Sequence, residues 1–362
     1  MDPIYHMTYV QAVVIGLIQG ITELFPISSL GHTVLIPSWL GGSWATLVRQ
    51  ESRPESPYLA FVVGLHLATA IVLLGVYAKT WVRVIRGFFT SIARRQIRTA
   101  DQKLAWLIVV ATIPVGLAGL VLEHPFRVLF AKPLAAAIFL MINGVILFTG
   151  EILRRRAVQR AAGGLLPPAP QPQPAGSPRP GTPAGSPAPA TAYRPVTGTG
   201  DPDERNERYH PGHRDHQDGQ DGQGAMLDEA AERRLAGLGL WNAVWIGASQ
   251  ILALFAGISR EGVTMVGGLA RGLDHEDAMR FSFLLSTPVI LAAGALKISD
   301  LTGSLGAGVR GQIIAGSIAA AASSLFAVLF LARYFRTRTL VPFAVYCLLA
   351  GLASAIRFGF FG

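Results

Sequence analysis

The chain has 362 residues, 51% of them apolar and 15% charged, with a mean hydropathy of +0.42, far from the roughly 25% charged residues of a soluble domain. Its net charge of +9 sits in short Lys/Arg clusters between apolar runs, which fits the positive-inside rule better than a nucleic-acid footprint, so no nucleic-acid partner is expected. The single cysteine, Cys347, excludes an intrachain disulfide and a cysteine-based metal site.

The opening residues, Met1 to His6, are not basic, and no small-residue cleavage site follows the next apolar stretch, so no removable signal peptide is expected. The first apolar region, Tyr9 to Leu40, is interrupted by Glu23, Pro26, Ser28, Ser29, Gly31 and His32. Runs long enough to cross a bilayer, about 20 residues each, follow at 58–78, 104–122 and 134–153. Residues 157–234 are rich in Ala, Pro, Gly and Ser and then in charge, and read as a disordered linker. His210, His213 and His216 in its polar part could hold a metal, although solvated low-complexity tracts often look like this. A second interrupted region, Leu238 to Leu269, contains Gly257, Ser259, Arg260, Glu261 and Gly262, and three more spans follow at 281–298, 313–332 and 340–358.

Broken polar backbone is tolerated at membrane depth only inside protein or beside a wet cavity. Both interrupted regions therefore read as re-entrant helix–break–helix pairs. The expected fold is all-α and polytopic: about six transmembrane helices plus the two re-entrant pairs. The domains are a first membrane repeat (1–156), the linker (157–234) and a second membrane repeat (235–362). Basic clusters at 79–103, 154–156 and 333–338 fall on one side of such a topology, assigned to the cytoplasm. The first pair then enters from outside and the second from inside.

The two broken regions align without a gap at an offset of 231 residues: Gly16 with Gly247, Gln19 with Gln250, Ile27 with Ile258, Ser28 with Ser259, Gly31 with Gly262 and Thr33 with Thr264. Opposite entry sides make this an inverted-topology repeat, an architecture that puts a binding site near the midplane. Two hairpins of unrelated origin are the bland alternative.

Gln19 and Glu23 are one helical turn apart and share a face. Pro26 ends that helix, Ser28 and Ser29 fall in the break, and His32 opens the next short helix. Ionisable groups at this depth are expensive and are functional candidates, though Glu23 and His32 could simply bond to each other, and serines commonly cap helices. In the second region Arg260 offers a fixed fork of donors to phosphate or carboxylate. Ser259 and Thr264 add hydroxyls, and the following helix start offers free N–H groups. Arg260 could instead merely neutralise Glu261 or Glu23. Together the groups supply an anion clamp, a carboxylate for a hard cation and candidate nucleophiles, a constellation that fits phosphoryl chemistry on a lipid.

The string Gln19-Gly-Ile-Thr-Glu-Leu-Phe-Pro-Ile-Ser-Ser-Leu-Gly-His32 resembles the first signature of the undecaprenyl-diphosphatase, or bacitracin-resistance, family. Gly257-Ile-Ser-Arg-Glu-Gly-Val-Thr264 resembles its second, and Phe281-Ser-Phe-Leu-Leu-Ser-Thr-Pro288 the segment that follows. The resemblance covers most of the chain outside 157–234. It implies a bacterial inner-membrane hydrolase that removes the terminal phosphate of undecaprenyl diphosphate for cell-wall synthesis. It also implies a divalent cation (Mg²⁺ or Ca²⁺) and a site open to the outer face. Glu23 would bind the metal or handle a proton, and Ser29 or His32 would be nucleophile or activating partner, unless water attacks in line. Arg260 would hold the diphosphate, with Ser28, Ser259 and Thr264 contributing to its binding.

The family often has glutamate where this chain has Gln19, and a small residue where Glu261 stands. Gln19 is then a weaker candidate metal ligand, and Glu261 a candidate replacement for the missing carboxylate. Alternative functions are a transporter or flippase of a polyprenyl phosphate, which needs binding but no nucleophile, and a membrane scaffold. The oligomeric state stays open, a homodimer included.

Overall fold

The first helix is set by its own ends. Thr8 and Gln11 form a reciprocal capping box, with Gln11 N–H donating to Thr8 Oγ1 at 3.2 Å and Thr8 N–H to Gln11 Oε1 at 2.9 Å. Pro26 excludes helical backbone at Phe25, whose ψ is 144°, so α1 spans Tyr9–Leu24. A computed structural model of the protein describes residues 7–51, 57–130, 132–163, 230–297, 303 and 308–361.

After the break come α2 (Ser29–Leu40), α3 (Gly42–Glu51) and α4 (Pro57–Val76). Next are α5 (Ala78–Arg94), α6 (Ala100–Phe130) and α7 (Pro133–Gly163). A short α8 covers Ala230–Ala236. α9 (Leu240–Ser249) tightens into a 3₁₀ turn at Gln250–Leu254, and α10 (Arg260–Ala270) follows its break. The chain then runs through α11 (His275–Leu296), α12 (Arg310–Tyr334) and α13 (Val341–Phe360).

Helices α6, α7, α11, α12 and α13 are each long and apolar enough to cross a bilayer. The 20 residues of α4 reach about 30 Å, the thickness of the hydrocarbon core. These are the six expected spans. Outward-facing Leu117, Leu120, Val121, Ile314, Ile318, Phe326 and Leu349 are exposed, as suits lipid contact. The interior carries polar side chains, including Gln19, Thr69, Ser282, Ser286 and Ser324.

The aligned glycines make equivalent contacts. A Cβ on Gly16 of α1 would lie 2.3 Å from the Gly316 carbonyl oxygen on α12. A Cβ on Gly247 of α9 would lie 1.9 Å from the Ala111 carbonyl oxygen on α6. Each broken region thus presses its backbone onto a spanning helix of the other half, as small residues permit in membrane bundles.

Two features go beyond the sequence reading. The first basic cluster rides on α5, a separate amphipathic helix bent 85° from α4, with Val82, Ile85, Phe89 and Ile92 exposed along one stripe, the pattern of an interfacial helix. The ends of the segment expected to be linker are helical: α7 runs on to Gly163, and α8 is anchored. Glu232 accepts from Thr80 Oγ1 at 2.6 Å and pairs with Arg83, while Arg234 grips Asp277 with two bonds of 2.6 and 2.8 Å. These partners are far away in sequence, so the charges of α8 look like part of a polar tract. The three linker histidines lie outside the described residues.

Candidate active site

The two breaks are built alike and bonded to each other. Ser28 caps α2, its Oγ accepting from Gly31 N–H at 3.2 Å; Ser259 caps α10, its Oγ accepting from Gly262 N–H at 3.1 Å. Ser28 Oγ also accepts from Gly257 N–H at 3.1 Å, and Ser259 Oγ donates to the Phe25 carbonyl at 3.4 Å. Ser28 pays for its place with a φ of +71°, unusual for a side-chain-bearing residue. Asn143, on α7, staples both breaks: Nδ2 donates to the Pro26 carbonyl at 3.0 Å, and Oδ1 accepts from Ser259 N–H at 3.0 Å.

Glu23 stands at the centre, 3% exposed. Its Oε2 accepts a very short hydrogen bond from Ser29 Oγ and meets His66 Nε2 at 3.2 Å. Gln19 Nε2 donates to the same oxygen at 3.4 Å, and Arg260 Nη2 lies 3.6 Å from Oε1. Arg260 Nη1 is buried without a hydrogen-bond partner among the described residues. Such a donor is costly to leave empty and suits an incoming anion. Glu23, Ser28, Ser29, His66, Ser259, Arg260 and Glu261 line one narrow polar cleft.

The other candidates stand around it. Gln19 turns its amide N–H to Glu23 while its Oε1 accepts from Thr69 at 3.3 Å, so it buttresses the carboxylate. Glu261 lies on the cleft wall, its carboxylate accepting from Ser286 at 2.7 Å. Thr264 Oγ1 bonds the Arg260 carbonyl at 2.7 Å within α10. His32 stands behind the serine break, Nδ1 2.7 Å from the Ser28 carbonyl and Nε2 2.7 Å from Tyr346 Oη. It does not line the cleft.

Sequence reasoning missed His66 and Asn143. Each is a polar side chain inside an otherwise apolar span, the signal that flagged Glu23, but His66 has only Thr69 within a turn and Asn143 has no polar side chain that near. A hard cation fits the cleft through few protein donors: Glu23 Oε2 and His66 Nε2 converge there, and Ser29 and Glu261 share the walls. No group of three or more His, Cys, Asp or Glu forms a ready-made site among the described residues, which suits an ion completed by water and substrate oxygens. Chemically, a hydroxyl bonded to a carboxylate beside a guanidinium with a spare donor is an arrangement that can serve nucleophilic attack on a bound anion.

The sequence profile described as "Bacitracin resistance protein BacA" matches residues 12–165 and 222–353. "Undecaprenyl-diphosphatase 2" of Frankia alni is 53% identical over 357 residues, covering 98% of this chain and 99% of that protein. "Undecaprenyl-diphosphatase" of Mycolicibacterium paratuberculosis is 50% identical over 351 residues, 97% of each chain. "Undecaprenyl-diphosphatase 2" of Chromobacterium violaceum is 32% identical over 354 residues, 97% of this chain and 99% of that protein. With both halves matched by the profile and these relatives aligned over nearly their full lengths, the chain belongs to the bacitracin resistance protein BacA family.

Proposed function

We propose that this chain hydrolyses undecaprenyl diphosphate to undecaprenyl phosphate and inorganic phosphate, returning the lipid carrier to peptidoglycan synthesis. The relatives' names support this reading. The observation that carries it is the Ser29 hydroxyl bonded to Glu23, with the unpaired Arg260 Nη1 beside them.

Glu23 takes the Ser29 proton as Oγ attacks the terminal phosphorus. The bond from that phosphorus to the bridging oxygen breaks, and undecaprenyl phosphate leaves with the electron pair. Arg260 swings from Glu23 onto the diphosphate and meets the charge that builds there. Water then attacks the phosphoserine; Glu23 returns its proton to Oγ, and the water's oxygen leaves in the phosphate. Glu23 would hold a divalent cation that neutralises diphosphate charge, with Glu261 on the cleft wall as a further candidate oxygen donor, whereas Gln19 turns its N–H side to Glu23 and its oxygen to Thr69. Ser28, Ser259 and Thr264 hold the two helix starts in place, and His32 acts at one remove by fixing the Ser28 carbonyl.

The enzyme works in the plasma membrane with its cleft toward the outer face. The basic clusters at 79–103, 154–156 and 333–338 support a cytoplasmic assignment of the helix ends that carry them through the positive-inside rule; the outward cleft rests on the family resemblance.

The test is phosphate release from undecaprenyl diphosphate by purified protein in detergent. Ser29→Ala, Glu23→Gln and Arg260→Ala should each lower kcat/KM by about 100-fold or more. No release from folded wild type, or full release from Ser29→Ala and Arg260→Ala, overturns the reading. Lipid-phosphate transport without hydrolysis would require Arg260 and dispense with Ser29.

A further inference from the structure

His66 on α4 is the one ionisable side chain of the cleft that the mechanism above leaves idle. Its Nδ1 lies 2.9 Å from the Val62 carbonyl, which can only accept, so Nδ1 carries the proton. Nε2 is thereby aimed at Glu23 Oε2, 3.2 Å away. Two atoms bearing lone pairs at that distance need a proton or a cation between them.

The geometry suits a cation. Ligands about 2.1 Å from a metal and at right angles to each other stand about 3 Å apart, close to the observed separation. A metal-binding imidazole characteristically gives its other N–H to a backbone carbonyl or carboxylate, as His66 does to Val62. Arg260 approaches the other oxygen of Glu23, Oε1, so a cation at Oε2 would share that oxygen with the Ser29 and Gln19 donors and not with the guanidinium. At the turn before Glu23 the chain carries an amide, Gln19, whose N–H side faces the carboxylate.

We infer that His66 is a ligand of the cleft's cation together with Glu23, and that this nitrogen ligand turns the site toward a first-row ion such as Mn²⁺ and away from the all-oxygen ions Ca²⁺ and Mg²⁺. The inference rests on the diphosphatase reading of the same cleft. Imidazole favours first-row metals, carboxylate and phosphate suit Mn²⁺ as well, and Ca²⁺ prefers a shell of oxygens. Two protein ligands leave the remaining positions to water and diphosphate oxygens.

The experiment measures binding of Mn²⁺ by electron paramagnetic resonance, and of Mn²⁺ and Ca²⁺ by calorimetry. It uses full-length protein in detergent with methylene diphosphonate present. All samples carry alanine at His210, His213 and His216, so that these histidines contribute nothing. The expected result is tighter binding of Mn²⁺ than of Ca²⁺. His66→Gln should weaken Mn²⁺ by about tenfold or more and leave Ca²⁺ nearly unchanged. His66→Asp should bind both ions with the preference reversed, which serves if the glutamine variant unfolds. Glu23→Gln should lose both ions.

Unchanged Mn²⁺ affinity and ion order in folded His66→Gln would overturn the inference and leave His66 a protonated partner of Glu23. Absence of any bound ion would overturn it as well. Phosphate release assayed in parallel separates the two ideas: release without an ion sinks the metal site alone, whereas an ion bound at His66 without release supports the site and sinks the diphosphatase reading.

Discussion

Glu23 gathers a hydroxyl, an imidazole, an amide and a guanidinium around one carboxylate, and the chemistry follows from which of these can let go. Arg260 has a long side chain and a spare donor, so in the proposed reaction it is the group that would transfer to substrate. Arg260→Lys should keep the charge and lose the fork: kcat/KM recovers only part of the loss seen in Arg260→Ala, with most of the recovery in KM, as steady-state phosphate release will read. Asn143 is a structural counterpart. Asn143→Ala strands the Ser259 N–H in a buried place and leaves the Pro26 carbonyl with only the weak Cys347 Sγ donor, at roughly 1–3 kcal/mol for a stranded group. A clear fall in melting temperature in detergent is expected, and Asn143→Asp should lose the donor and keep the acceptor. Glu23, Ser29 and Arg260 were legible in the sequence because polar groups clustered in apolar runs announce themselves. His66 and Asn143 were not, because each joins its partners only through tertiary contact. His32 was legible as polar but not as turned away, since Tyr346, which holds it, lies on the last helix.

The helices explain how so much polar backbone survives at this depth. Each break is capped by its own serine and sealed by a donor or acceptor from the other break. Gly257 sits where this sealing is tightest: its φ is +113°, and a Cβ would come within 2.4 Å of the Ala136 carbonyl oxygen on α7. Gly257→Ala should therefore both strain the backbone and push α10 from α7, with loss of thermal stability and of phosphate release together. The conservative control is Gly116→Ala on lipid-facing α6, where a Cβ meets nothing within 4 Å; its melting temperature should stay close to wild type. The six spans could be read from apolar runs of the right length, and the breaks from Pro26, Gly31, Gly257 and Gly262. α5 could not be separated from the loop that follows it, because an interfacial helix carries its apolar residues on one stripe and its charges beside them. α8 was hidden because Glu232 and Arg234 find their partners on α5 and α11.

At the scale of the whole molecule the two halves are interleaved. α1 packs along α12, α4 on α11 and α12, α6 on α9, and α7 on α10 and α13. A chain cut within residues 164–229 and expressed as two pieces should reassemble, with the untagged half retained by a tag on the other and phosphate release restored in the mixture alone. Failure of the halves to copurify would show that covalent continuity is needed for docking. The bonds between the breaks also set a schedule for biogenesis. Ser28 meets Gly257 only after 229 further residues have been made, roughly 10 to 50 seconds of synthesis at ordinary elongation rates. Until then the first break holds the bonds made within its own half, from Ser29, His66 and Asn143, and lacks Gly257 on Ser28, Arg260 beside Glu23 and Tyr346 on His32. A chain released before residue 257 therefore keeps these three contacts open, the same ones that, once made, join the two halves around the cleft.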